Sequence, residues 1–433
     1  MPAPPGQADS FARLRFACEA FKPPDNNRDV SVTEPEVPTI DLFALGSRGL
    51  QHHGLRLANE RAVLTVIGIN PGLSNAEIAR ISGLAPQTVS AILTEVEGAG
   101  LIERGEVLRG RRGQPATPIF IKPTGAYSIG IELGWRHADV LVINFLAEVV
   151  GHCHFAYEEA DLGALAPRLA SIIKELVADW EPEQRARLAD IGVSCPGTIH
   201  SALEPLAESV GSKTGPSQPS FADELEKLTG LSVTLFNDGN AACWAELIAQ
   251  PSPRPGTFIY LLVSTYLAAG LMGEGRLWQG ESGHSVDLGS MLVVTGEKGL
   301  KPAHSVASVA VLAERLVRAG FTLDVADPHA WDWDPIEPEV AVWIEDCAEA
   351  LALVVHNTGA VIEAGLVVLD TILPGDLTAR LTERLTVHFA RLPVRRETNI
   401  VPGHIGRLAP ALGAAELSLY NRYFSRSILE RRD

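Results

Sequence analysis

Residues 75–97 read NAEIARISGLAPQTVSAILTEVE, and the pattern predicts two short helices joined by a tight turn. Ala79 is a small residue where two helices must cross closely. Gly83, four residues on, suits a chain reversal with positive φ, and Val89, ten residues after Ala79, is β-branched and fills the space between the helices. Asn75 is placed to cap the first helix, with Glu77 in its first turn and Ile78 and Ile81 facing inward. The second helix starts near Pro86, a residue tolerated in a first turn, and its inner face carries Val89, Ile92, Leu93 and Val96. Its outer face carries Pro86, Gln87, Thr88, Ser90 and Ala91, side chains of the size and polarity that read base edges in a major groove. A plain helical hairpin is the alternative for the spacing alone.

The flanks favour a DNA-binding module. LRLANERAVLTVIGI (55–69) has helical spacing at Leu57, Val63, Leu64 and Ile67 and predicts the first of three helices. Downstream, ERGEVLRGRRGQPATPIFIKP (103–123) reads as two short strands around a basic turn, the wing of a winged helix. Arg109, Arg111 and Arg112, with Gln114 close behind, form a segment able to lie along a minor groove. A solvated basic loop is the alternative for these arginines. The module is expected over residues 55–122, behind a loose Pro-rich arm of 1–54 with one short helix around FARLRFACEAF.

The net charge of −17 over 433 residues looks adverse to a DNA binder until it is divided. Residues 58–122 hold seven basic and six acidic side chains, so the acidity belongs to the rest of the chain. An acidic body repels phosphate, which confines DNA contact to the module and favours a dimer that presents two of them. The five cysteines are scattered, with no CxxC pair and no histidine at ligand spacing. This pattern argues for a reducing compartment and against a disulfide frame or a structural metal. FIYLLVSTYLAAGLM (258–272) is too short and too interrupted for a bilayer span and predicts paired buried strands. The expectation is a cytoplasmic protein without membrane contact.

From Tyr127 onward the pattern alternates between strand and helix. Strands are expected at 128–133, 138–145 and 148–156, then a helix over 162–180, a buried strand at 189–197, and a helix at 221–229. A strand ending in LFND at 235–238, a helix at 240–248 and a second set from 256 complete the pattern. A three-strand meander followed by strand and helix alternation, used twice, predicts an α/β fold of two lobes with a cleft between them.

These residues resemble the ROK family of the sugar-kinase and actin-like superfamily, over roughly residues 55–425. The resemblance rests on the LxxxNxxxVL entry at Leu55–Leu64, the helix-turn-helix with its wing, IGVSCPG at 191–197, NDGNAACWAE at 237–246 and LGAAELSL at 412–419. It implies an N-terminal winged helix-turn-helix followed by a two-lobed actin/sugar-kinase-like body at 123–433. Lobe one would take about 123–250 plus 412–433, and lobe two about 251–411. In this family a winged helix fused ahead of the body marks transcriptional regulators of carbohydrate use.

The departures from the family pattern carry as much information. The first phosphate loop, DxGGT in the kinases, is here Glu132-Leu133-Gly134-Trp135-Arg136. The second is Ser264-Thr265-Tyr266-Leu267-Ala268-Ala269, and the late glycine pair is Asp370-Thr371. Few positions remain where backbone N–H groups could cradle an anion. The family's zinc loop, CxCGxxGC, corresponds to SMLVVTGEKGLKPAHS at about 290–305, which has no cysteine. No cofactor and no metal are expected.

By resemblance Asp238 stands at the position of the kinase base, and with the nucleotide loops altered only a ligand-binding role remains for Asn237 and Asp238. Capping of the following helix is the alternative, and the two are compatible. The family's ExGH sugar element is ambiguous here. Counting from Gly275–Gly280 puts Asp287 and Ser290 in that place, whereas the literal pattern occurs at Glu281 and His284.

The expected function is a DNA-binding transcriptional regulator, a repressor by family habit, of carbohydrate uptake or catabolism. It would bind a double-stranded operator as a homodimer or homotetramer and sense a sugar-like molecule in the cleft. The alternatives are an active ROK sugar kinase with an attached DNA module, and a regulator whose cleft is vestigial.

Overall fold

Ser74, one residue ahead of the decisive stretch, is where its first helix is anchored. The computed structural model describes residues 52–107, 117–157, 162–197, 220–251, 253–281, 283, 286–294, 299–324, 327–393 and 397–425. The expected arm helix around FARLRFACEAF lies outside them. In the N-terminal module α1 spans His52–Ile69, α2 Asn75–Ser82 and α3 Pro86–Gly98. Ser74, not Asn75, is the N-cap of α2. Its hydroxyl accepts from the Glu77 backbone N–H while the Glu77 carboxylate accepts from the Ser74 N–H at 2.8 Å, a reciprocal capping box. Gly83 ends α2 at φ 72°, and Pro86 begins α3.

Val63, Leu64, Ile67, Ile78, Val89, Leu93 and Ile119 are sealed in the module's core, while Ile81 is only half-buried and Leu57 is exposed. Strands β1 (Ile102–Arg104) and β2 (Ile119–Ile121) pair antiparallel, and Leu73 adds a one-residue bridge to Ile119. That is the base of a wing. Its expected arginines, Arg109, Arg111 and Arg112, and Gln114 lie outside the described residues.

Lobe one is built on a five-stranded sheet of order β5-β4-β3-β6-β7, with β3 Tyr127–Leu133, β4 His137–Asn144, β5 Val149–Ala156, β6 Leu188–Cys195 and β7 Ser232–Asn237. The meander β3–β4–β5 is antiparallel, and β6 and β7 then run parallel to β3. Between β5 and β6 lie α4 (Leu162–Leu176) and the single turn α5 (Pro182–Arg185). Helix α4 stops short of the expected residue 180: the Ala178 and Trp180 N–H groups turn to the carbonyls of Glu175 and Val177, three residues back, and the Arg185 guanidinium donates to the carbonyls of Val177 and Ala178. Helices α6 (Phe221–Thr229) and α7 (Asp238–Ala249) flank β7.

The second lobe repeats the plan. Its sheet has the order β10-β9-β8-β13-β14, with β8 Phe258–Val263, β9 Leu267–Gly273, β10 Arg276–Leu277, β13 Leu366–Thr371 and β14 Asn399–Pro402. Again the first three strands are antiparallel and the later ones parallel to the first. The apolar run at 258–272 is thus the expected pair of buried strands. A small hairpin, β11 (Leu292–Val294) with β12 (Leu300–Pro302), precedes α8 (Val309–Arg318), α9 (Glu337–Val361) and α10 (Gly375–Ala390).

The chain returns to lobe one through α11 (Ala409–Tyr423), which carries LGAAELSL. A Cβ on Gly130 or Gly192 would stand 2.0 Å from the Ala411 or Ala414 carbonyl oxygen, and one on Gly413 1.8 Å from that of Ala241. Helix α11 therefore lies backbone-close on β3, β6 and α7, and only glycine permits it. The far side of α11 carries the module. Leu419 and Phe424 share a core with Phe145 and with Val63, Leu64 and Ile67 of α1. Phe145 packs against Tyr423 and Phe424 at 5.0 and 5.3 Å, and Ser425 N–H donates to Thr65 Oγ1 at 2.9 Å. Among the described residues no helix is long and apolar enough to cross a membrane.

Candidate functional site

The outer face of α3 is built from residues that the module's core does not need. Helical periodicity turns Val89, Ile92, Leu93 and Val96 inward, and so leaves Pro86, Gln87, Thr88, Ser90 and Ala91 exposed together. The side chains of Gln87 and Thr88 form no hydrogen bond with another described residue. Such a face has donors, acceptors and small apolar groups available to an external partner.

A cavity of about 700 Å³ opens between the two sheets, within the size range of small-molecule sites. Its walls include Asn237 and Asp238 from the end of β7 and the start of α7, and Asp287 and Ser290 from the turn before β11. The structure therefore brings together the pair identified at the strand end and the pair obtained by counting from Gly275–Gly280. Glu281, from the literal ExGH, is exposed and off the cavity wall, and His284 lies outside the described residues.

Both pairs also hold local structure. Asn237 Oδ1 accepts from the Asn240 N–H at 3.1 Å, capping α7, and its Nδ2 donates to Asp238 Oδ1 at 3.1 Å. Asp287 Oδ1 accepts from the Ser290 N–H at 3.1 Å in the same way. Asn240 Nδ2 donates to the Gly283 carbonyl at 3.2 Å, tying α7 to the loop of the literal motif. Burial pushes the Asp238 carboxyl up to about 6, against the pull of the Gly239 N–H at 2.8 Å, and the charge of Glu132 adds to the rise. A carboxyl that titrates there can donate a hydrogen bond to a ligand hydroxyl when protonated and accepts one when ionised.

The same cavity is bounded by Trp135 and Tyr266, from the two turns that the family resemblance equates with phosphate loops. Their rings meet edge to face with centroids 5.0 Å apart. Trp135 follows β3 and Tyr266 follows β8, so equivalent turns of the two lobes close on each other.

In the stretch that corresponds to the family's zinc loop, residues 300–305 form a strand and a 3₁₀ turn that carries His304. His304 reaches the cavity and stands 6.0 Å from Tyr266, ring to ring. Sequence reasoning missed it, having scanned that stretch only for cysteines. Pro196, Gly197 and Val286 are further wall residues it did not single out as ligand contacts. Of the cysteines, Cys153, Cys195, Cys243 and Cys347 are not joined in disulfides, and the last three are buried.

One cluster of histidines and acids was not visible in the linear spacing of the sequence. His152 Nε2 lies 2.7 Å and His154 Nδ1 3.0 Å from the two oxygens of Asp139, with His137 and Glu132 alongside. Linear spacing hid this group because strand pairing assembles it.

Residues 128–306 match the ROK family model, and residues 53–113 match the model of the MarR family. The chain is 23% identical over 381 residues to protein y4fQ of Sinorhizobium fredii, covering 86% of this chain and 93% of that one. With the xylose repressor of Bacillus spizizenii it shares 24% identity over 242 residues, 55% of this chain and 61% of the repressor's length. An N-acetylmannosamine kinase of Vibrio cholerae is 26% identical over 259 residues, 57% of this chain and 85% of the kinase. Among solved structures, a ROK family transcriptional regulator, a homologue of the Escherichia coli MLC protein, superposes with a TM-score of 0.65. That match has 19% identity and covers 85% of this chain and 98% of the other, a likeness of fold.

Proposed function

From a chain that joins a MarR-like winged helix to a ROK-family domain, we propose a DNA-binding transcriptional regulator that represses genes of sugar uptake or catabolism. Gln87, Thr88 and their neighbours on α3 read an operator half-site, and Arg109, Arg111, Arg112 and Gln114 of the wing grip the flanking minor groove. The chain acts in the cytoplasm as a homodimer or homotetramer, because two half-sites multiply a modest single contact.

The observation that carries this reading is the outward polar face of α3 on a module whose α1 is fused by a shared core to α11. Because α11 also lies backbone-close on β3, β6 and α7, a change at the cleft reaches the module through packed elements. A sugar-like ligand held by Asn237, Asp238, Asp287 and Ser290 would favour one arrangement of the lobes. It would thereby change the fit of two modules to two half-sites.

Phosphoryl transfer is not part of this function. The contact of Trp135 with Tyr266 supports that reading, since two bulky rings meet at the turns that the resemblance equates with the phosphate loops. The similarity to sugar kinases keeps a second reading in play, an active kinase with a DNA module, and a single set of assays separates them. A gel-shift with the DNA upstream of the chain's own gene, at low and at physiological salt, is expected to give a specific complex that weakens as salt rises. A coupled ADP-release assay over a panel of hexoses and N-acetylhexosamines is expected to stay at background. Specific binding absent at low salt, or steady sugar-dependent ADP release, would reverse the order of the two readings.

A further inference from the structure

The corner of lobe one beside the aromatic contact carries a cluster of acids and histidines that the proposed function does not use. Strand register explains its assembly. Glu132 on β3 pairs across to Asp139 on β4, and Asp139 pairs across to His154 on β5. The three side chains therefore form one row on one face of the sheet. His137 and His152 stand two residues from Asp139 and His154, so the pleat returns them to that same face.

Two features ask for a positive centre there. Glu132 and Asp139 are only 6% and 1% exposed, and among the described residues every ion-pair partner of either is a histidine. Furthermore, Glu132 Oε2 is buried with no hydrogen-bond partner. Two carboxylates removed from water, one with an orphaned oxygen, are costly unless a cation or further donors meet them.

We infer that Glu132, His137 and Asp139 form a binding site for a single divalent transition-metal cation, with His152 and His154 orienting Asp139 from behind. One donor atom from each of the three residues lies within 4.8 Å of the others. His137 Nε2 is 3.5 Å from Glu132 Oε1 and 3.9 Å from Asp139 Oδ2. Two ligands at zinc distance and a tetrahedral angle lie roughly 3.4 Å apart, so only small adjustments bring all three onto one ion. Imidazole and carboxylate donors select zinc and its first-row neighbours over magnesium or calcium.

The backbone accommodates the ligand geometry. A Cβ on Gly134 would fall 2.3 Å from the His137 ring, so the glycine retained from the old phosphate loop is what lets that imidazole fold back over the turn. His152 and His154 hold both oxygens of Asp139, as outer partners of metal carboxylates do. Next to the cluster lies a cavity of about 30 Å³ whose wall also includes Arg136 and, from the second lobe, Asp327, His329 and Arg407. That is room for one water to complete the coordination.

The test uses the full chain, stripped with a chelator and titrated with Zn²⁺ against a chromophoric competitor, then with Co²⁺ for its visible absorption. One ion per chain is expected, with the cobalt bands of a nitrogen and oxygen site and no thiolate charge-transfer band. The variants Glu132→Gln and His137→Gln each weaken binding by about 100-fold or more, whereas a distant control, His356→Gln, does not. Melting of the metal-free variants reports folding, and His137→Gln carries the test alone if Glu132→Gln fails to fold. A thiolate band, native affinity retained in the variants, or no binding at micromolar Zn²⁺ overturns the assignment.

Discussion

The face of α3 and the start of α7 are both helix openings that present polar side chains, yet they are built in opposite ways. In α3 the cap position is Ala85, which makes no side-chain cap, and the exposed residues Gln87 and Thr88 have no structural duty. In α7 the cap is Asn237, which serves Asn240 and Asp238 at once, and Asp238 in turn binds the Gly239 N–H. A surface that reads a partner by free side chains can be changed without touching the fold. A pocket whose polar groups also hold its walls cannot. Stability and binding should thus separate in the module and stay coupled in the cleft.

The largest effect sharpens the module's side of that contrast. Leu93 is fully buried at the centre of the three-helix core, so Leu93→Ala is expected to lose about 3 kcal/mol by creating a cavity and to abolish operator binding with it. Gln87→Ala and Thr88→Ala, on the opposite face of the same helix, should weaken operator binding by about 10- to 100-fold while stability changes by less than about 0.5 kcal/mol. Urea unfolding and gel-shift titration of the three variants measure both quantities. If Gln87→Ala costs as much stability as affinity, the face is structural and the contrast fails.

Asp238 tests the cleft by pH. Its carboxyl titrates at about 6 when folded, against 3.8 for the ordinary side chain, so the folded state holds the proton more tightly. The stabilisation is therefore full below about pH 4 and is lost as pH rises through 6, and linkage sets its size at up to about 3 kcal/mol. Asp238→Asn carries a permanently neutral side chain of the same shape and should remove that part of the dependence. Unfolding free energies at intervals from pH 4 to pH 7.5 are expected to fall more steeply for the native chain than for the variant. Parallel curves would mean that Asp238 is ionised throughout and that its burial is relieved by groups other than those seen.

Local signals were legible in the sequence and long-range ones were not. The spacing of Val89, Ile92, Leu93 and Val96 is a property of one helix, and it appears in the structure as read. The run at 258–272 became two strands because its interruption at Ser264–Tyr266 is itself a turn signal. Ser74 was missed as the cap by one residue because Asn75 has the same chemistry. Asp287 and Ser290 were reachable by counting from a glycine anchor, but their meeting with Asn237 depends on how the lobes close. The row Glu132, Asp139, His154 needs the register of three strands, and a shift of one residue would have turned every member to the other face. The contact of Trp135 with Tyr266 joins turns more than a hundred residues apart. Each turn looked altered by itself, and only the fold makes the two alterations one event.

The smallest effect separates the two duties of Asn237. Its Oδ1 caps α7, and its Nδ2 orients Asp238 toward the cavity. Serine can take over the first duty, since its hydroxyl also accepts from the first turn of a helix, but it offers no amide to Asp238. Asn237→Ala should therefore cost about 1 kcal/mol of stability, and Asn237→Ser only a few tenths. Both variants should lose the same share of the rise in melting temperature that a bound sugar gives the native chain, because ligand stabilisation depends on affinity for the folded state alone. If serine restores that rise along with stability, Asn237 is a cap and nothing more, and the polar wall of the cavity reduces to Asp238, Asp287 and Ser290.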